Sequence, residues 1–532
     1  MSQAEDPTRR NFLLQCGAAT GAVASGLLAP RGVGAAPAVV PPESARPIAA
    51  QGLQIGDVAG ERAIVWSRAD RASRLVVEWD TSARFGNARR VLGPHALETT
   101  DYTARIDLTD LPRDRDIFVR ASFQGLTHER ASSEPLFGRF RSAPRQRRGV
   151  RFVWSGDTAG QGFGINPDIG GMRIYETMRA RRPDFFIHSG DTIYADGPIP
   201  AEKVVEEGKV WRNLVTPEKS KVAETLDEFR GAYRYNLMDQ NVRRFNAEVP
   251  QLWQWDDHEV TNNWSVSKNL SANPAYTEKN VLLLAARGTR AFQEYAPLRH
   301  HDESESDRVY RHIPYGSLLD VFMLDMRSYR GPNTNNRQTA QSSETTFLGA
   351  EQLAWIKREL LSSCATWKVI AADMPLGLRI GDGKDAAGND LWEAISNGDD
   401  GVALGRELEI ADLLRFIKHH NVRNVVWLTA DVHYCAAHHY QPSRAEFTDF
   451  APFWEFVAGP LNAGAFGPNA LDATFGPEVV FQQAPPAANY SPLSGYQFFG
   501  QVDIDEHSAA MQVSLVDLAG NTVFTHTLEP QR

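Results

Sequence analysis

Four short motifs in this sequence place acidic, imidazole and phenol side chains where apolar runs stop. The apolar runs are typical of buried strands, and each motif follows one directly. The carboxyl ends of strands in α/β sheets are where ligand crevices form, so we expect the four motifs to meet in one crevice. The motifs are Trp154-Ser155-Gly156-Asp157, Ser189-Gly190-Asp191-Thr192-Ile193-Tyr194, Trp255-Asp256-Asp257-His258-Glu259 and Thr429-Ala430-Asp431-Val432-His433.

These motifs supply at least four carboxylates, two imidazoles and a phenol without a nearby Lys or Arg. Carboxylates gathered in this way repel one another unless cations bind them. A pair of metal ions, with one carboxylate bridging them, would remove the conflict. Because two neighbouring metal ions stabilise both the attacking and the leaving oxygens of an in-line phosphoryl displacement, the motifs predict metal-assisted hydrolysis by a water whose pKa the metals lower.

The surrounding stretches predict how these motifs are positioned. From residue 146 to 532, buried strands alternate with amphipathic helices, which indicates an α/β layered domain. Residues 49–145 carry short alternating runs such as RAIVWSR and RLVVEWD, which predict an antiparallel β-sandwich without a cluster of chemically active residues. Residues 37–48 form a Pro/Ala linker, and the Gly- and Pro-rich stretch 459–495 is predicted to be a long loop near the site.

Residues 1–36 are typical of a twin-arginine secretory signal, with Arg9 and Arg10 followed by an Ala/Gly-rich apolar run. The alternatives are a disordered leader and a membrane anchor. Arg31 interrupts the run, which is shorter than the ~20 residues that span a bilayer. We therefore expect export in folded form by the twin-arginine machinery to the periplasm or the extracellular space, and no transmembrane segment in the mature chain.

The composition limits the partners and the covalent cross-links. The 532 residues carry a net charge of −10, from 56 Lys and Arg against 66 Asp and Glu, which argues against nucleic acid as a partner. Cys16 lies in the leader, so Cys364 and Cys435 remain for the mature chain. Two cysteines do not make a disulfide framework, and whether the two form a single bridge is left open by the sequence. Cys435 is interpreted as a buried, inert thiol.

The order GD, GDxIY, WDDHE and DVH resembles the PhoD-type alkaline phosphatase/phosphodiesterase family, which belongs to the calcineurin-like and purple-acid-phosphatase-like metallophosphoesterases. The stretches LDMRSYR (324–330) and FWEFVAGPLNAG (453–464) match further. The resemblance covers most of the chain. It implies an α/β (α+β) four-layer core of two facing β-sheets flanked by helices, preceded by the antiparallel β-sandwich.

The resemblance also implies which residues hold two or more metal ions. Asp191 would bridge two ions, and Tyr194 would be a phenolate ligand of one of them. The ligands implied for the first ion are Asp157, Asp191, Tyr194 and His433, and those for the second are Asp191, Asp257, Asp431 and Asn262.

The resemblance implies catalytic roles for two further residues. His258 would protonate the leaving group or bind phosphate, and the alternative is a histidine that only orients Glu259 or a ligand. Arg327 would neutralise the substrate phosphate, and the alternative is a structural arginine.

The identity of the metals stays open. In the best-known form of the family a cysteine that binds ferric iron ends the first strand, whereas this chain has Asp157 there. A hard carboxylate in place of a soft thiolate weakens the case for that particular iron site. Tyr194 still favours Fe³⁺, and an oxygen-rich second site suits Ca²⁺, with Mn²⁺, Mg²⁺ and Zn²⁺ as alternatives.

The expected function is a secreted metal-dependent hydrolase of phosphomonoesters, phosphodiesters or both, with a small molecule or an envelope polymer as substrate. The alternatives are a non-catalytic protein that binds envelope polymer with structural metals, a metallohydrolase of non-phosphate esters, and an iron oxidoreductase. Four aromatic residues are candidates for the lining of an apolar cleft, and the alternative for each is a position in the core. They are Trp264, Trp392, Phe466 and Tyr496.

Overall fold

The structure is a computed structural model that describes residues 42–128, 130–301, 305 and 307–531. The predicted twin-arginine signal, residues 1–36, lies outside the described residues. Within the part of the chain that is described, no helix combines the length and the apolar character needed to cross a bilayer.

The regular elements are numbered along the chain. The strands are β1 (Leu53–Ala59), β2 (Arg62–Arg68), β3 (Ser73–Asp80), β4 (Arg89–Ala96), β5 (Thr103–Leu108), β6 (Asp116–Gly125), β7 (Leu136–Arg141), β8 (Val150–Ser155), β9 (Phe185–Ser189), β10 (Glu202–Val204), β11 (Val210–Arg212), β12 (Gln251–Gln254), β13 (Arg311–Pro314), β14 (Leu319–Met323), β15 (Trp367–Ala371), β16 (Gly381–Lys384), β17 (Asp390–Trp392), β18 (Val425–Thr429), β19 (Cys435–Tyr440), β20 (Phe453–Val457), β21 (Pro477–Gln483), β22 (Phe498–Ile504), β23 (Met511–Asp517) and β24 (Thr522–Leu528). The helices are α1 (Arg173–Ala180), α2 (Leu226–Asn236), α3 (Gln240–Glu248), α4 (Val281–Tyr295), α5 (Ala350–Ser362) and α6 (Glu407–His419).

Two large sheets face each other across a continuous apolar core. One has nine strands in the order β24-β23-β22-β8-β9-β12-β1-β2-β5, and the other has seven in the order β13-β14-β15-β18-β20-β19-β21. Phe152 and Ile187 of the larger sheet share one buried cluster with Val369 and Phe456 of the smaller sheet. Burial of this apolar surface is the main force that holds the two sheets together.

Helices cover the outer face of each sheet. Met178 of α1 and Phe292 of α4 pack in one cluster with Phe186 of the nine-stranded sheet, and the helices α2 and α3 contribute to the same cluster. Ile356 of α5 and the helix α6 pack on the outer face of the seven-stranded sheet around Trp427. This arrangement confirms the α/β layered domain that the pattern indicated and the four-layer core that the resemblance implied.

The strands that precede the four motifs are paired in parallel, apart from the antiparallel contact of β8 with β22. β8 pairs with β9 and β9 pairs with β12, both in parallel. In the other sheet, β18 lies between β15 and β20 and is parallel to both. Parallel strands covered on both faces are near-continuous apolar runs, and their shared direction brings their carboxyl ends to one edge.

The N-terminal β-rich region contributes to two sheets. β3, β4, β6 and β7 form a separate antiparallel sheet in the order β4-β3-β6-β7. The strands β1, β2 and β5 instead extend the nine-stranded sheet, because β1 pairs in parallel with β12 through Gly56 and Gln251. A buried ion pair of 2.8 Å between Asp57 and Arg311 reinforces the junction. One layer of this region is thus continuous with the core, which the sequence pattern did not indicate.

The two cysteines of the described chain are both free. Cys364 is exposed and Cys435 is buried, so no bridge joins them. Burial raises the pKa of the Cys435 thiol, which disfavours the reactive thiolate and agrees with an inert thiol.

Candidate metal centre

The four motifs converge because each follows the carboxyl end of a strand. Asp157 follows β8, Asp191 follows β9, Asp257 follows β12 and Asp431 follows β18. Backbone hydrogen bonds join the loops directly, since the N–H of Thr158 donates to the carbonyl of Asp191 at 3.0 Å. The crevice expected at strand ends is therefore the place where these carboxylates meet.

Three overlapping groups of side chains could each hold a metal ion. In each group, one ligand atom from every residue lies within 4.8 Å of the others. The groups are Asp157, Asp191 and His433; Asp191, Asp257 and His258; and Asp256, Asp257 and Asp431. The structure brings together five of the seven predicted ligands in these groups, and Tyr194 lies against the first.

The first group has the form of a site for a cation. The Oδ1 atom of Asp157 lies 3.6 Å from Nε2 of His433, and the hydroxyl of Tyr194 donates to the same nitrogen at 2.9 Å. The Oδ2 atom of Asp157 is buried without a hydrogen-bond partner. A buried unpartnered carboxylate oxygen calls for a missing partner such as an ion, so these residues fit a metal.

The protonation of His433 also suits a metal ligand. Burial lowers its pKa to about 4, so the imidazole is neutral. Its Nδ1–H donates to the carbonyl of Gly464, which leaves the lone pair of Nε2 directed at Asp157 and Tyr194. A second hydrogen bond of this kind is how proteins fix the tautomer of a ligating histidine.

Three carboxylates of the site, those of Asp157, Asp191 and Asp431, are destabilised as anions in the absence of cations. Burial, followed by the charge of Asp256, raises the pKa of Asp157 and Asp431 well above the usual range. Burial and the neighbouring Asp257 have the same effect on Asp191. Bound cations reverse this preference because they stabilise the charged form. The chemistry of the donor set thus fits two or more ions.

Four of the predicted ligands have a left-handed backbone. The φ angles are 66° at Asp157, 53° at Asp191, 68° at Asp431 and 60° at His433. Asp and His tolerate this conformation better than most residues, and such outliers cluster at functional sites. The conformation lets the chain turn sharply after each strand, and Gly459 allows close approach because a Cβ there would lie 2.4 Å from Oδ2 of Asp157.

His258 lies beside the metal groups and is held by Asp196. Its Nδ1–H donates to Oδ1 of Asp196 at 2.7 Å, and its ring centroid is 4.3 Å from that of Tyr194. Burial alone would lower the pKa of His258, but the carboxylates of Asp196 and Asp257 outweigh it and raise the pKa to about 10. In the metal-free site these carboxylates therefore favour the charged imidazolium.

Glu259, the residue that the alternative interpretation of His258 involved, has other partners. It accepts hydrogen bonds from the N–H of Thr192 at 2.6 Å and from the N–H of Asp256 at 2.8 Å. Glu259 is thus oriented by the loops after β9 and β12, whereas the imidazole of His258 bonds to Asp196.

Asn262 reaches the site through its backbone. Its N–H donates to Oδ2 of Asp196 at 2.7 Å, whereas its side chain is exposed. The next residue, Asn263, donates its N–H to Oδ2 of Asp257. The assignment of the Asn262 amide as a metal ligand stays a prediction.

Arg327 lies behind the carboxylates and is fully buried. Its guanidinium contacts Asp256 and Glu393, and its Nε lies 3.3 Å from Oδ2 of Asp373. The premise that the acids lack a nearby Arg was wrong, because Arg327 comes from a distant stretch of the chain. Its position favours the structural alternative over contact with a substrate phosphate.

Several residues of the site were not predicted from the sequence. Asp256 belongs to a metal group although only its neighbour Asp257 was chosen from the motif. Asp196 ends the stretch GDTIYAD, but no spacing rule connects it with His258. Asp373 follows β15 as the chosen acids follow their strands, and both its oxygens are buried without hydrogen-bond partners. Its position directly after an apolar strand is the sequence feature that could have identified Asp373.

The stretch 459–495 reaches the site as predicted but is not one continuous loop. Residues 477–483 form β21 at the edge of the seven-stranded sheet. The segment before β21 supplies Gly459 and the carbonyl of Gly464 to the metal groups.

Known proteins resemble this chain in sequence. The sequence model of the PhoD-like phosphatases matches residues 152–515, and that of their N-terminal domain matches residues 34–144. Alkaline phosphatase D of Bacillus subtilis (strain 168) is 28% identical over 333 residues, which are 60% of this chain and 53% of that protein. The chain thus aligns with about half the length of this curated relative.

Solved structures show the same fold. A structure of PhoD superposes with a TM-score of 0.66 at 21% identity and covers 93% of this chain and 94% of its own. A purple acid phosphatase from yellow lupin (Lupinus luteus) seeds superposes with a TM-score of 0.55 at 13% identity, over 90% of this chain and 74% of its own. With the family match over most of its length, the chain belongs to the PhoD-like phosphatases.

Proposed function

We propose that this protein is a metal-dependent phosphoester hydrolase whose site holds two or more metal ions. The overlap of the three metal groups carries the proposal, since Asp191 and Asp257 each belong to two of them. A carboxylate shared between neighbouring groups is able to bridge two ions, as hydrolytic two-metal sites require. Membership of the PhoD-like phosphatases supports phosphoesters as the substrates.

The residues divide between two ion positions. When bound, the ions supply Lewis-acid stabilisation of the phosphoryl oxygens and lower the pKa of a water. The phenol of Tyr194 supports Fe³⁺ at the first position, and a second position rich in carboxylates supports Ca²⁺, with Mn²⁺, Mg²⁺ and Zn²⁺ as alternatives. The proposed ligands are Asp157, Asp191, Tyr194 and His433 at the first position, and Asp191, Asp256, Asp257 and Asp431 at the second.

The chain itself supplies the proton for the leaving group in this proposal. Asp196 holds one nitrogen of His258, and the opposite nitrogen lies 4.0 Å from Asp257 at the metal groups. His258 donates a proton from this nitrogen to the departing alkoxide. Asp196 fixes the orientation of the ring, and it does so without contacting the substrate.

Removal of the metals is expected to abolish turnover. The mature protein is assayed with p-nitrophenyl phosphate and with bis(p-nitrophenyl) phosphate, before and after treatment with a chelator. We expect both rates to fall by about a hundredfold or more and to return when the ions are restored singly and in pairs. The ratio of the two rates identifies a monoesterase or a diesterase.

The control for this experiment is the fold of the stripped protein, measured by circular dichroism. Full turnover in folded protein that contains no metal would contradict the proposal. Absence of turnover in protein shown to carry its metals would instead favour the alternative of a polymer-binding protein with structural ions.

We further propose that the protein is exported to the periplasm or the extracellular space by the twin-arginine machinery. The arginine pair Arg9 and Arg10 supports this proposal. Replacing both by lysine is expected to retain the protein in the cytoplasm, measured by fractionation of producing cells. Arg31→Lys, outside the pair, is the matched control and is expected to leave export unchanged. Normal export of the double variant would refute the route.

A further inference from the structure

The aromatic residues considered for a cleft have different places in the structure. Trp264 is buried, and Tyr496 and Trp392 contact residues outside the metal groups. Among these four described residues, Phe466 is the one whose ring contacts a predicted ligand. Its centroid lies 5.3 Å from that of His433, with the ring planes at 86°.

The position of Phe466 is fixed by its backbone. Its N–H donates to the carbonyl of His433 at 3.0 Å, and the carbonyl of Gly464 accepts from the imidazole of His433. Ala465 exchanges two backbone hydrogen bonds with Tyr490, of 2.9 and 3.0 Å. The ring therefore projects from a segment whose backbone is hydrogen-bonded to the His433 loop on one side and to Tyr490 on the other.

Phe466 also lies on the accessible side of the site. Asp157 and Asp191 are buried, with 1% exposure each, whereas Asp431 and His258 are partly exposed. The ring of Phe466 is partly exposed too. Of the three partly exposed side chains Asp431, His258 and Phe466, Phe466 is thus the apolar one, and it is therefore the one suited to meet an apolar part of a substrate.

We propose that Phe466 forms a leaving-group subsite that accepts a flat apolar substituent, so that aryl phosphoesters are preferred over esters of small polar alcohols. Binding of a flat substituent on the exposed face of the ring removes apolar surface from water. A stacked or edge-to-face geometry stabilises a pair of aromatic rings further. The proposal rests on the proposed function and specifies its substrate class.

The test compares two esters and two variants of the metal-loaded protein. The esters are 2-naphthyl phosphate and glycerol phosphate, and the variants are Phe466→Ala and the matched control Tyr496→Ala, a partly buried aromatic in the same region. We expect Phe466→Ala to lower the ratio of kcat/KM for the naphthyl ester to that for the glycerol ester by about tenfold, mainly through KM. Tyr496→Ala should leave the ratio within about twofold, and Phe466→Trp should restore it.

Other outcomes would overturn the subsite. An unchanged ratio in Phe466→Ala would do so, and so would an equal fall for both esters together with lost metal, which would assign Phe466 to the support of His433. If the wild-type protein hydrolyses neither ester, the proposed function fails separately. In that case the binding of 2-naphthyl phosphate is measured through the fluorescence of its naphthyl group. Weaker binding by Phe466→Ala than by Tyr496→Ala supports the subsite, and equal binding refutes it.

Discussion

Replacing Asp191 with asparagine is expected to reduce kcat by about a thousandfold and to lower the metal content of the protein. Asp191 shares one metal group with Asp157 and His433 and another with Asp257, and it is the carboxylate proposed as a ligand at both ion positions. A neutral amide offers one oxygen and no charge, and it cannot take that role. Asparagine has nearly the same shape and tolerates the φ of 53° at this position, so the backbone is expected to keep its course.

Thermal unfolding separates this effect from a loss of stability. Burial and Asp257 make the charged form of Asp191 costly in metal-free protein, so the variant should unfold there at the same or a higher temperature than the wild type. With metals present, it should unfold at a lower temperature. Asp110→Asn is the matched control, because Asp110 has a φ of 55° in an exposed turn. Wild-type kcat in Asp191→Asn would contradict the bridging role.

Arg327→Met is expected to destabilise the protein by about 3–5 kcal/mol, the range for removing one partner of a buried ion pair. The side chain of Arg327 has no exposure and contacts Asp256, Asp373 and Glu393. Without the guanidinium, these buried acids must take up protons or unfold the region. The measurement is the shift of the thermal unfolding midpoint, with metal content recorded in parallel.

The matched control is Arg337→Met. Arg337 is 54% exposed and lies 3.8 Å from Asp399, and a surface pair of this kind contributes about 0–1 kcal/mol. A direct role of Arg327 in binding substrate phosphate predicts a different pattern, in which KM rises and the unfolding midpoint stays unchanged. That pattern would restore the interpretation in which Arg327 neutralises the substrate.

The part of the site that was predictable from the sequence is the part fixed by strand direction. Asp157, Asp191 and Asp257 each follow an apolar run, and the parallel strands β8, β9 and β12 of one sheet bring their ends to one edge. Asp431 also follows an apolar run, but its strand β18 belongs to the other sheet, so its place beside the other three depends on how the two sheets face each other. Asp196 and His258 are 62 positions apart, and their contact depends on how the two loops fold over each other. Local pattern carries no information about such a contact.

The partners of Arg327 were unpredictable for a related reason. Asp256 follows β12 in one sheet and Asp373 follows β15 in the other, so their meeting at one guanidinium depends on how the two sheets face each other. Periodicity identifies each strand and each helix but does not specify that alignment. The continuity of β1 with β12 was missed in the same way, since sandwich and core strands have similar patterns.

The order of strands in the nine-stranded sheet sets a condition on the nascent chain. β8, which leads into Asp157, lies between β9 and β22. Since β22 begins at Phe498, a nascent chain shorter than this has an open hydrogen-bonding edge on β8, beside the predicted ligand Asp157. This edge is covered only after more than 340 residues have followed β8, when β22, β23 and β24 add to strands that were made long before them.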